Sequence, residues 1–119
     1  MTIIYGVNSE KPVTSIMVRD AMIRCFAEAH SKELDGMRSF RKFESDEHFE
    51  DFKMQYVRVF IKGMFCAAGF CSGNGTYENP TKNSLLKVIE KLKEYSADFR
   101  GQDIIDRHAA EVMLLVKKL

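Results

Sequence analysis

A chain of 119 residues with 18 Lys+Arg against 17 Asp+Glu carries a formal charge of +1, so no strong field of either sign recruits partners. That balance argues against a dedicated DNA-wrapping protein, which needs surplus cations to neutralise phosphates. With 45% apolar and 29% charged residues, disordered, collagen-like and linker-dominated readings are excluded.

A chain of this length buries roughly two-thirds of its unfolded surface, enough for one core without metal or disulfide staples. The three cysteines, Cys25, Cys66 and Cys71, cannot all pair with one another. Residues 1–7 lack the basic and apolar regions of a secretory signal. The apolar stretch from Tyr56 to Phe70 is interrupted by Arg58 and Lys62, too short and too charged for a hydrocarbon core of about 30 Å. The expectation is a cytoplasmic protein with reduced thiols, no membrane segment and one helical domain over residues 1–119.

In chain order, residues 1–13 read as an irregular arm, with Ile3-Ile4-Tyr5 a β-like run too short to found a sheet alone. Thr14 or Ser15 caps a first helix to about Leu34, where Asp35-Gly36 stops it. Residues 36–45 form a basic-aromatic connection. Ser45 or Asp46 opens a second helix to about Ala68, with Asp46, Glu47, Glu50 and Asp51 near its positive N-terminal end. Gly69 to Tyr77 is turn chemistry. Asn79-Pro80-Thr81 starts a third helix over 80–99, and after Gly101 a helix over 103–118 is capped by Asp103.

Periodicity places Leu85, Val88, Ile89, Leu92, Tyr95 and Phe99 on one face of the third helix. Ile105, Ala109, Val112, Leu115, Val116 and Leu119 make the stripe of the fourth. The architecture predicted is all-α, a four-helix bundle with a short extended arm. The second helix is apolar nearly all round. Such a helix is either central or covered by another subunit. The expectation is a homodimer whose interface centres on Phe60, Ile61, Met64 and Phe65.

No phosphate loop, nucleophile elbow, H-E-x-x-H or C-x-x-C pair occurs. The one suggestive pattern is that His30, His48 and His108 are each followed three residues later by an acid, Glu33, Asp51 and Glu111. On a helix that spacing makes neighbours of the two side chains. With up-down-up-down topology, His30, Glu33, His108 and Glu111 share one end of the bundle and offer a metal imidazole and carboxylate. The bland alternative is a hydrogen-bonded histidine, since H-x-x-[D/E] arises by chance in a chain with 17 acids. His48 reads as a solvated cap residue. Arg38, Phe40, Arg41, Lys42 and Phe43 can stack on bases, but the acids at 46–51 neutralise their field, so nucleic-acid binding is not expected. Cys25 and Cys66 fall in apolar patterns and read as core; Cys71, in a turn, reads as exposed. The function expected is a non-enzymatic, self-associating interaction or regulatory module without cofactor. The alternative is a metal-binding bundle or metal-dependent enzyme.

Overall fold

Three helices begin where a hydroxyl replaces a missing backbone acceptor. In the computed structural model, which describes residues 2–119, Thr14 accepts from the Met17 amide at 3.3 Å and opens α1 (Ser15–Ala29). Ser45 accepts from the His48 amide at 3.0 Å and opens α3 (Asp46–Ala67). Thr81 and Ser84 each bond the other's backbone amide, at 3.1 and 2.9 Å, a capping box that opens α4 (Lys82–Arg100). Between these lie α2 (Ser31–Gly36) and a tight turn at Met37–Phe40; α5 spans Gln102–Val116. The described residues are mostly helical, with one small two-stranded sheet.

Three local expectations are corrected. The first helix does not run on to Leu34. It breaks at His30, whose backbone leaves helical geometry (φ −110°, ψ 23°). The break redirects the chain so that Leu34 and Met37 reach the core. Asp103 does not cap α5. The Gly101 amide closes α4 on the Ala97 carbonyl at 2.8 Å, and its own carbonyl accepts from Ile105 at 3.3 Å, leaving no residue between the helices for a side-chain cap. Cys66 is exposed rather than core, because Ile61 and Phe65 define the buried side of α3.

The arm is a hairpin, β1 (Ile3–Ile4) antiparallel to β2 (Val7–Asn8). Tyr5 and Gly6 form its two-residue turn, both with positive φ (46° and 83°), as a type I′ turn requires. Gly6 has a second reason to be glycine: a Cβ there would stand 1.4 Å from the Arg24 guanidinium, which donates to the Tyr5 carbonyl. The short β run therefore has a partner after all, and buried Ile4 and Val7 close the core against α1 and α5.

Among the long helices, α1 and α4 pack on each other and on both remaining ones, while α3 and α5 flank them. Hence α3 is lateral, not central. Its buried stripe is Phe49, Val57, Ile61 and Phe65. Phe52 on another side is covered by Phe43 from the basic-aromatic connection, with ring centroids 5.2 Å apart. The helix ends in a Schellman motif: Phe70 donates to the Phe65 carbonyl at 2.9 Å and Gly69 to that of Cys66 at 3.0 Å. Gly69 takes the positive φ (96°) this reversal needs. No helix among the described residues is long and apolar enough to cross a membrane.

Candidate functional site

The break at His30 turns its imidazole into a nest of rings, where it is 3% exposed. It stacks on Phe26 at 4.3 Å, meets Phe99 edge-on at 5.2 Å and lies 5.7 Å from Tyr95. Its Nε2 shares a 2.7 Å hydrogen bond with the buried Ser96 hydroxyl. Its Nδ1 faces Glu33 at 3.8 Å. The Arg100 guanidinium donates to Glu33 and, through Nε, to the Ala29 carbonyl at 3.1 Å, fastening the end of α1 to the end of α4. Burial holds the His30 pKa below its ordinary value; Glu33 opposes this and Arg100 adds to it. At Glu33, burial acts upward most strongly of any one cause, but the bond from Arg100, a backbone hydrogen bond and the charges of Arg100 and His30 together outweigh it and leave the carboxyl below its usual range.

This nest forms the floor of a groove of about 240 Å³ between α1, α3 and α4. Its rings run continuously: Phe26 to Phe60 at 5.0 Å, Phe60 to Tyr95 at 5.0 Å and Tyr95 to Phe99 at 5.2 Å. Four rim aromatics face solvent: Phe40 (74% exposed), Tyr56 (47%), Phe99 (45%) and Tyr95 (38%). Large rings left in water this close together mark an interaction surface more often than scattered exposed leucines do. Local signals for the groove were present, since Tyr56/Phe60 and Tyr95/Phe99 are both i,i+4 pairs. Periodicity places Tyr95 and Phe99 on one face with Leu85 and Leu92; the structure buries the leucines and leaves the two rings on the rim.

The expected interface residues divide. Ile61 and Phe65 are 0% exposed within the single chain and offer a partner nothing to touch. Phe60 and Met64 are half-buried, and Phe60 belongs to the groove.

The histidine pattern divides too. Ala29, Ile105 and His108 line one small, mostly apolar pocket together with Ser96, so the end of α1 and the start of α5 do come together. The two imidazoles nevertheless take different partners. His108 Nδ1 shares a 3.1 Å hydrogen bond with the Tyr5 hydroxyl. Together with Glu28, Arg107 and Glu111, these two line an open cleft between the hairpin, α1 and α5. Among the described residues, no three His, Cys, Asp or Glu side chains are grouped to hold a metal ion. Cys25 donates to the His108 carbonyl at 3.6 Å. Burial, partly offset by the Tyr5 hydroxyl, pushes its thiol up to about 11, so at neutral pH it is a protonated packing residue and not a nucleophile. His48, the third histidine, accepts from the Glu44 amide at 3.3 Å beside the start of α3.

Tyr5 is thus the pin of the hairpin. Tyr5→Phe should cost about 1 kcal/mol, the net worth of one hydrogen bond, read as a shift in the urea midpoint at unchanged slope.

In the basic-aromatic connection, Arg38 pairs with Asp46. Arg41 lies over the Phe43 ring at 5.2 Å, and Phe43 itself packs 4.9 Å from Phe49. Of its two phenylalanines only Phe40 faces solvent, on the groove rim. No protein-family model, curated protein or solved structure matches this chain.

Proposed function

We propose that the protein is a non-enzymatic interaction module that pairs with a second copy of itself through the aromatic groove. The observation that carries this reading is the solvent-facing rim of Phe40, Tyr56, Tyr95 and Phe99 over a ring-lined floor. Aromatic side chains dominate interface energetics, since each buries a large rigid surface at low entropic cost. A two-fold dimer sets the same patch against itself, and a groove rimmed by protruding rings is suited to that: rings of one copy enter the groove of the other. A formal charge of +1 puts little repulsion between two copies. We further read the four long helices as a bundle with α1 and α4 as its central pair and α3 and α5 outside. The groove then opens where α3 leaves α4 uncovered. A cytoplasmic setting fits the two exposed thiols, Cys66 and Cys71.

Sedimentation equilibrium at micromolar concentration is expected to give a dimer. Tyr56→Glu and Phe99→Glu, both on the exposed rim, should each weaken it by about 30-fold or more, the effect of losing a hot-spot contact of about 2 kcal/mol. Their circular dichroism should stay that of the parent. A wild-type chain that remains monomeric at hundreds of micromolar would refute the reading.

The alternative, a metal-binding bundle, uses donors already engaged: His30 with Ser96, Glu33 with Arg100, His108 with Tyr5. Stoichiometric uptake of zinc, manganese or iron(II), abolished by His30→Ala and by His108→Ala, would favour it over the interaction module.

A further inference from the structure

We propose that Cys66 and Cys71 form a dithiol site that exchanges with small-molecule disulfides and closes into an intramolecular disulfide across the end of α3. Five residues of extended chain span about 17 Å, so sequence proximity alone does not bring these sulfurs together. The reversal at Gly69 does. With Phe70 and Gly69 bonded back to the Phe65 and Cys66 carbonyls, residue 71 returns over residue 66. There the Cys71 thiol donates to the Cys66 carbonyl at 3.5 Å.

Both side chains are exposed, so a reagent reaches either. A bonded pair needs Cβ atoms about 3.5–4.5 Å apart, and the turn that sets the Cys71 thiol on the Cys66 carbonyl brings residue 71 back against residue 66. The Cys66 thiol lies above its ordinary pKa, first because its S–H is held by the Cys71 side chain, which favours the protonated form; desolvation and the Cys71 charge act in the same direction. Cys25 takes no part: it is mostly buried and bonded to the His108 carbonyl.

The reagent class is a disulfide of the glutathione type. The Cys71 thiolate attacks one sulfur of oxidised glutathione, whose S–S bond breaks as the mixed disulfide forms and one glutathione thiolate leaves. The Cys66 thiolate then attacks the Cys71 sulfur and releases the second glutathione. In sum two protein thiols lose two electrons and two protons, and oxidised glutathione gains them as two thiols. Tethering makes the second attack intramolecular, with an effective concentration in the millimolar range or above.

The test uses the full chain, reduced, in glutathione redox buffers at pH 8, followed by acid quench and intact-mass and peptide analysis. The expected product is lighter by two hydrogens, carries no glutathione and yields a peptide joining Cys66 to Cys71. Cys66→Ser and Cys71→Ser should each stop at a single glutathione adduct. As reduced glutathione is raised, the wild-type cross-link should persist after those adducts have fallen to about a tenth of the chains. Repeating the titration in urea separates the fold from mere sequence proximity: the cross-link should be favoured in the native protein by about 10-fold over the unfolded chain, because the cap pre-positions the sulfurs. Two glutathione adducts per chain without a cross-link, disulfide-joined dimers, or equal closure in native and unfolded chains would each overturn the proposal.

Discussion

Phe65→Ala should lower the folding free energy by about 3–5 kcal/mol, the range for truncating a buried aromatic that leaves a cavity. Phe65 is among the largest side chains with no exposed surface. It sits in the last turn of α3, packs edge-on against Tyr77 at 6.0 Å and lends its carbonyl to the cap through Phe70. The loop after α3 rests on this turn, so the site has little freedom to collapse around the missing ring. Val59 provides the control on the same helix. At 60% exposure, Val59→Ala should change stability by no more than about 0.5 kcal/mol. Urea denaturation of both variants reads the difference directly. Equal effects would mean that α3 turns a different side to the core.

His30→Ala should cost about 2–4 kcal/mol, combining lost ring contacts with a Ser96 hydroxyl left buried and unpaired. His30 also imposes a pH dependence whose sign follows from its environment. Its folded pKa lies below the ordinary histidine value, chiefly because of burial. Between that folded pKa and the unfolded value of about 6.5, the unfolded chain binds more protons than the folded one. Stability is therefore complete above pH about 6.5 and declines as the pH falls below it, levelling off only once the folded histidine is itself protonated. In His30→Ala this segment of the stability profile should flatten. Glu33 acts in a separate, more acidic window. Its folded pKa is depressed, so its contribution is present above the ordinary glutamate pKa of about 4.3 and is lost as the pH falls through the folded value. Glu33→Gln should shrink that second decline, which Glu78 and Asp106, also held low, share, and deepen the first, because Glu33 supports the His30 charge. Thermal melts from pH 8 to pH 3 distinguish the two windows. A wild-type profile flat from pH 7 to pH 5 would show that His30 is not held neutral by burial.

Local chemistry made much of this protein readable in one dimension. Thr14, Ser45 and Thr81 open helices because a hydroxyl beside a free amide needs no distant partner. The helices 46–67, 82–100 and 102–116 accordingly start and stop within two residues of where caps and periodicity place them. The stripe from Leu85 to Leu92 is buried for the same reason: a period of 3.6 residues aligns apolar side chains whatever lies opposite. Periodicity says which residues share a face, but not whether that face is covered. Tyr95 and Phe99 continue the α4 stripe yet stand on a groove rim, because Phe60 of α3 covers Tyr95 from one side only and leaves both rings partly in solvent. Ile61 and Phe65, expected at an interface, are interior for the converse reason: α1 and α4 together cover that side of α3. The His30 break, the return of Cys71 over Cys66 and the pairing of Tyr5 with His108 depend on contacts between segments or on a chain reversal. Residue order constrains such contacts weakly. They exist because packing the helices lets the buried His30 imidazole find Ser96, the half-buried His108 find Tyr5 and the hairpin close the core.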